Sequence, residues 1–305
     1  MYPCSVSSMK RYEIIGVLLT LLGAVLWGVS GASVQFLSNF RGMNLEWLVT
    51  MRLITAGLLT VLYAWFKYGN SIFNVFRSLK DTVGLIIFGV FGMALCQYTY
   101  FKSIALAGAG IATVLQYLAP SMIIIYLLAR YGKRPSKGEI ISVILALVGT
   151  ICLMGNDGLS IESFPLAVLV WGLLSAVGVA VYSLSPVDLL YKYGTLPIVG
   201  FGMLLSSIVA AILFHQPNSY AMWDVWTIIG CFNVVFLGTI VSFNAYLEGV
   251  KRIGAVPGSI LSSIEPISAA FFGWAFLDNQ FSLLGLIGMA MIIATVIIIA
   301  LEKRK

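Results

Sequence analysis

The sequence predicts an all-α membrane protein of ten transmembrane helices, arranged as two inverted five-helix repeats. Three observations carry that prediction. The 305 residues are 60% hydrophobic and 10% charged, with a mean hydropathy of +1.00, whereas soluble domains carry roughly a quarter charged residues. Apolar stretches able to cross about 30 Å of hydrocarbon recur along the whole chain. Laid over itself with a shift of 146 residues, the chain aligns Gly84 with Gly230, Gly92 with Gly238, Tyr100 with Tyr246, Gly108 with Gly254 and Pro120 with Pro266.

The segments follow in order. Residues 14–36 hold the first span, too long for a cleaved signal peptide and with no small-residue cleavage site after it. Residues 45–66 carry Arg52, and 82–101 carry Gly84, Gly92, Gln97, Tyr98 and Tyr100. The span at 108–129 contains Pro120, and 138–155 completes the first half. The second half repeats the plan at 164–184, 196–214, 225–246, 254–276 and 281–301. A Trp-Gly pair recurs near the start of each half, Trp27-Gly28 and Trp171-Gly172, at a shift of 144. Glycines such as Gly84, Gly92, Gly285 and Gly288 allow close helix contacts. Met291–Leu301 is apolar apart from Thr295, without the strand alternation of a membrane barrel. The expected units are a 1–13 N-terminal segment, five-helix repeats at 14–155 and 164–301, and a 302–305 tail.

Charge sets the expected orientation. Arg130, Lys133, Arg134, Lys137, Lys251, Arg252 and most other loop cations fall on one side, against Arg41 and Lys102 on the other. Cationic loops stay in the cytoplasm, so both termini are expected there, in a multi-pass protein of the cell membrane. The net charge of +6 therefore records topology, and no nucleic-acid partner is expected. Five helices per half make the second half enter from the opposite face. Inverted halves supply two states of similar energy, one open to each side, which suits alternating access around a central site.

The fourth and ninth spans carry the candidate site. Thr113, Gln116, Tyr117 and Pro120 follow i, i+3, i+4, i+7 and share one helix face; at the same shift the ninth presents Ser259, Ser262, Ser263 and Pro266. Polar groups gain nothing from lipid, and each proline leaves a carbonyl in need of another partner. Both stripes should face the bundle interior. Glu265, one residue before Pro266, is costly inside a membrane: it is a proton site, a counter-charge for a substrate amine, or a structural carboxyl bonded to backbone opened by Pro266. Arg52 is expected to snorkel toward the nearer membrane surface. Gln97, Tyr100, Ser242, Tyr246, Trp27 and Trp171 complete the candidate substrate-binding set. The tyrosines can equally belong to an interfacial aromatic belt.

No catalytic constellation can be assembled, and no cofactor or metal motif is present. The one histidine, His215, reads as a loop residue, and Cys4, Cys96, Cys152 and Cys231 as small buried hydrophobes. A small-molecule substrate and the lipid bilayer are the expected partners, and a monomer is compatible with the plan.

Two five-helix repeats with Trp27-Gly28, Arg52, the Gly108–Pro120 segment and Glu265-Pro266 in these places resemble the drug/metabolite transporter superfamily, specifically its EamA-domain proteins. The resemblance covers essentially the whole chain. It implies a cavity lined by the third, fourth, eighth and ninth helices, and export of a small organic solute such as an amino acid. A passive channel and a non-transporting sensor are the alternatives. The first repeat has Ala119-Pro120 where the second has Glu265-Pro266, so the acid is not duplicated.

Overall fold

The computed structural model describes residues 6–154, 166–214, 221–277 and 282–302; Cys4 and His215 lie outside them. Nine described helices are long and apolar enough to cross a membrane: α1 (Arg11–Arg41), α2 (Leu45–Arg77), α3 (Leu79–Leu106), α4 (Ile111–Tyr131), α6 (Leu166–Tyr193), α7 (Thr195–Leu213), α8 (Val225–Ile253), α9 (Ala255–Leu277) and α10 (Leu283–Glu302). The remaining expected span is α5 (Lys137–Met154), about 27 Å long at 1.5 Å per residue. Several helices outrun the apolar segments that announce them. The 31 residues of α1 rise about 46 Å, which carries both polar ends beyond the hydrocarbon.

Local sequence starts and stops the helices. The Asn44 side chain accepts the Trp47 N–H at 3.0 Å and caps α2. Ser136 and Glu139 form a reciprocal capping box before α5, both bonds 3.0 Å. Ser78 and Asp224 cap α3 and α8 at equivalent positions of the two halves, accepting from Asp81 and Thr227. Gly194 and Gly254, at φ 86° and 93°, make the turns into α7 and α9, a left-handed region that side chains avoid. The reversal between α3 and α4 is fixed by two cross-links: Tyr100 shares a 2.8 Å hydrogen bond with Thr113, and Gln116 donates to Cys96 Sγ at 3.4 Å. Along one straight helix the first pair would stand about 20 Å apart.

Each half contains one wide, π-helical stretch, Ile87–Ala94 in α3 and Asn233–Val241 in α8. They start at the same shift of 146 residues. Leu95 N–H reaches the Val90 carbonyl and Ser242 N–H the Leu237 carbonyl, five residues back. One residue more per turn rotates the side chains that follow by about 100°, which sets where Cys96, Gln97 and Tyr246 point.

Helix pairing obeys the two-fold relation of the repeats. α1 packs on α8 and α9, α6 packs on α3 and α4, α2 lies against α7, and α5 against α10. Exchanging the halves maps this set onto itself. Glycines make the approaches: a Cβ on Gly23 would fall 2.7 Å from the Ser242 carbonyl, one on Gly178 2.6 Å from Cys96 N, and one on Gly149 2.8 Å from the Gly288 carbonyl. The free thiols among the described residues are Cys96, buried, and Cys152 and Cys231, part-buried.

Candidate functional site

The site lies where the helical hydrogen bonding of α4 and α9 is interrupted, at Tyr117–Leu118 and at Ser262–Ser263. Both breaks sit just before a proline, which lacks the N–H that would serve the carbonyl four residues earlier. For Pro266 that carbonyl belongs to Ser262. It accepts the Glu265 N–H at 3.0 Å and, from the other half of the molecule, the Tyr117 hydroxyl at 3.3 Å. The same hydroxyl stands 3.3 Å from Glu265 Oε2. Both distances are long for a hydroxyl donor, so one proton divides between two acceptors.

A small cavity opens around this junction. Its walls are Trp27 of α1, Gln116, Tyr117, Ala119 and Pro120 of α4, Val179 and Tyr182 of α6, and Ser259, Ser262 and Glu265 of α9. Its volume is about 20 Å³, room for one or two waters, so a metabolite enters only when the walls part. The Trp-Gly pair has a packing reason here. A Cβ on Gly28 would meet the Glu265 carbonyl at 2.5 Å, so only glycine lets α1 lie on the break in α9 and lay Trp27 against the cavity.

The cavity is rich in acceptors. Ser259 and Ser262 donate their hydroxyl protons to their own helix, to the Val256 and Ser259 carbonyls at 3.0 and 2.8 Å. Their lone pairs remain free for a ligand. Gln116 spends an N–H on Cys96 and keeps its carbonyl oxygen. Glu265 is the one ionisable acid or base in the lining other than tyrosine. Trp27, Tyr117 and Tyr182 add aromatic faces, which attract cations.

Of the candidate residues, Trp27, Gln116, Tyr117, Ser259, Ser262 and Glu265 come together in this cavity. Tyr246 stands behind it, fully buried, its ring 5.0 Å from Trp27 and 6.0 Å from Tyr182, its hydroxyl bonded to Ser183 at 2.9 Å. Burial rules out an interfacial-belt role for Tyr246. The others lie elsewhere. Ser263 donates to Ile260 and faces Thr295 of α10 at 3.5 Å, because the tightened turn before Pro266 rotates it off the Ser259–Ser262 face. Tyr100 and Thr113 satisfy each other. Ser242 donates to Gly238 beneath α1, and Trp171 packs edge-on against Tyr98, 5.9 Å between ring centres. Gln97 accepts from Arg52 Nη2 at 2.7 Å. Arg52 thus points into the bundle rather than to the surface. The carboxyl of Glu265 faces a tyrosine hydroxyl rather than the backbone freed by Pro266. Tyr182 and Val179 are the wall that the stripe pattern undervalued, since the proline of α6, Pro186, lies beyond them toward the end of the helix.

Charged groups gather at the two ends of the bundle. At one, Arg41 pairs with Asp224 at 3.0 Å; hydrogen bonds from the Thr227 N–H and hydroxyl, and then the Arg41 charge, hold the Asp224 carboxyl below the usual carboxylate range. At the other, Asp81 takes Lys192 and the Tyr193 hydroxyl, and Glu248 holds Arg252 at 2.8 Å and Thr195 at 2.5 Å. Except for Glu248–Arg252, one helical turn apart, the sequence hid these pairs because their members lie far apart along the chain.

A family model, the EamA-like transporter family, matches residues 14–155 and 166–301. The chain belongs to that family. An uncharacterised inner membrane transporter of Salmonella typhimurium, YicL, is 33% identical over 95% of this chain and 96% of its own length. The threonine/homoserine exporter RhtA of Escherichia coli is 24% identical over 99% and 96% of the two chains. A solved crystal structure at 20% identity shares the fold, with a TM-score of 0.71 over 98% of this chain and 99% of the other. Family and relatives are transporters rather than enzymes, and this EamA-like chain is a multi-pass membrane transporter.

Proposed function

We propose that the chain is a secondary transporter that exports a small amphipathic solute bearing an ammonium group, an amino acid or a close analogue, by alternating access through the cavity at Glu265. One observation carries the reading: a lone carboxylate, among acceptor-rich and aromatic walls, at the junction of two proline-broken helices from opposite repeats. An ammonium brings three donors and no acceptor, which complements the free oxygens of Ser259, Ser262, Gln116 and Glu265. The relative named as a threonine/homoserine exporter supports the substrate class and the direction. The two-fold pairing of helices supports the mechanism, because exchanging the conformations of the halves moves the opening from one face to the other. The membrane is the cell membrane, with both termini on its cytoplasmic side as the loop cations indicate, and the cavity carries out no chemical conversion.

The test is counterflow in proteoliposomes with labelled amino acids, threonine first, for the wild type and Glu265→Gln. Accelerated exchange by wild type, reduced about 100-fold or more in a correctly folded variant, is the expected result. Flux that neither saturates nor exchanges would make the protein a channel. Ligand binding without any flux would make it a sensor.

A further inference from the structure

Arg52 lies seven residues past the start of α2, about 10 Å along its axis. Its Nη2 donates to Gln97, while its Nε is buried with no partner among the described residues. It borders a second cavity whose other walls are Val34, Leu45, Leu48, Val49 and Phe101, all apolar. None of the ion pairs among the described residues includes it. The space it borders is about 10 Å³, room for no more than one water, so a buried guanidinium N–H stands beside apolar walls with no acceptor among the described residues.

The geometry of this donor is specific. A carboxylate grips a guanidinium with two parallel bonds, and Nε together with Nη2 forms one such edge. Here the Gln97 carbonyl oxygen takes one Nη2 proton, and the Nε–H has no partner among the described residues. Gln97 stands in for one oxygen of a carboxylate. The residue beside it, Cys96, accepts from Gln116, which lines the central cavity with Glu265. Arg52 and Glu265 therefore end a short chain of contacts through α3 and α4.

We propose that Arg52 binds the carboxylate of the transported solute, so that the substrate is a zwitterion held with its ammonium at Glu265 and its carboxylate at the Arg52 edge. The assignment rests on the transport reading above and sharpens it: a simple amine would fill one pole only. Gln97 moves aside, or shares Nη2, when the substrate arrives.

The experiment measures competition in the counterflow assay, using the labelled amino acid that exchanges best against its own carboxamide and its decarboxylated amine. In the wild type both analogues compete at least about tenfold less well than the amino acid, because a site built for a charged group rejects ligands lacking it. Arg52→Gln removes that preference. Gln97→Glu keeps the size and shape of the side chain while its own carboxylate fills the guanidinium edge; it brings acid and amide within about threefold of each other, and it serves if Arg52→Gln does not fold. A wild type that treats amide and acid alike, or either folded variant keeping the tenfold preference, overturns the role of Arg52 and leaves the transport reading intact. A wild type that exchanges no amino acid at all overturns both.

Discussion

In the α3–α4 hairpin Ala119 precedes the proline, Gln116 donates to a thiol, and Tyr100 ties the hairpin to itself through Thr113. In the α8–α9 hairpin the same positions hold Glu265, Ser262 and Tyr246, and this tyrosine bonds instead to Ser183 of α6. The backbones agree closely: both hairpins begin with a side-chain cap, carry a π-helical stretch and break before a proline. In the mechanism proposed above, the duplicated backbone supplies the two-fold movement, while the diverged side chains supply a site with one acid on one side.

Moving the acid tests this difference most severely. The double variant Ala119→Glu, Glu265→Ala puts the carboxyl on the other copy, where its facing partner would have to come from Ser263, the equivalent of Tyr117. Ser263 is turned to α10, so exchange stays below about a tenth of wild type in proteoliposomes. Full recovery would mean that the copies are interchangeable. The two Trp-Gly pairs give the next contrast. A Cβ on Gly28 meets backbone, the Glu265 carbonyl at 2.5 Å and Ala269 N at 2.6 Å, whereas one on Gly172 meets only the Leu115 side chain. Gly28→Ala costs about 1–3 kcal/mol through overpacking and displaces the Glu265 backbone. Gly172→Ala falls in the same range, since the Leu115 Cβ at 2.6 Å is not cleared by a change of rotamer, but leaves Glu265 in place; unfolding in mixed micelles and exchange in proteoliposomes compare them.

Tyr117→Phe removes the one hydroxyl that joins the repeats at Ser262 and Glu265. The expected loss is about 1 kcal/mol, because the Glu265 N–H still serves the Ser262 carbonyl; an unchanged stability would dissolve the link. The smallest effect separates the caps. Asp224 has its carboxyl held below the ordinary range, so its contribution is complete above about pH 3.9 and disappears as pH falls through the lower folded-state value. The hydroxyl of Ser78 does not titrate in this range. Amide protection at the start of α8, taken relative to the intrinsic exchange rate, should therefore fall at low pH, and Asp224→Ser should abolish that fall. The start of α3 carries a titrating acid of its own, Asp81, bonded to Lys192 and Tyr193, so its response is removed only by a change at Asp81.

Much of this comparison was legible along the chain. The Gly92/Gly238, Tyr100/Tyr246 and Pro120/Pro266 matches announced the repeat, and of the stripe Ser259, Ser262, Ser263 and Pro266 the first two reach the wall of the cavity, with Glu265 beside them. The π-helical stretches were not legible, since Ile87–Ala94 reads as apolar helix and an extra residue per turn leaves no mark on composition. Nor was the rotation of Ser263, which depends on how the turn tightens before Pro266.

The sequence by itself determined the membrane class, the number and order of the spans, the duplication and the two proline breaks. These follow from hydropathy, chain length and the missing proline N–H, all local properties. Only the tertiary structure decided that Tyr117 of one repeat serves the carbonyl opened in the other, that Gly28 seats α1 against Glu265, and that Arg52 turns inward to Gln97 with its Nε unfilled. Those outcomes depend on which helix lies against which, and a hydrogen bond between residues 45 or 145 positions apart exists only once the bundle has closed around it.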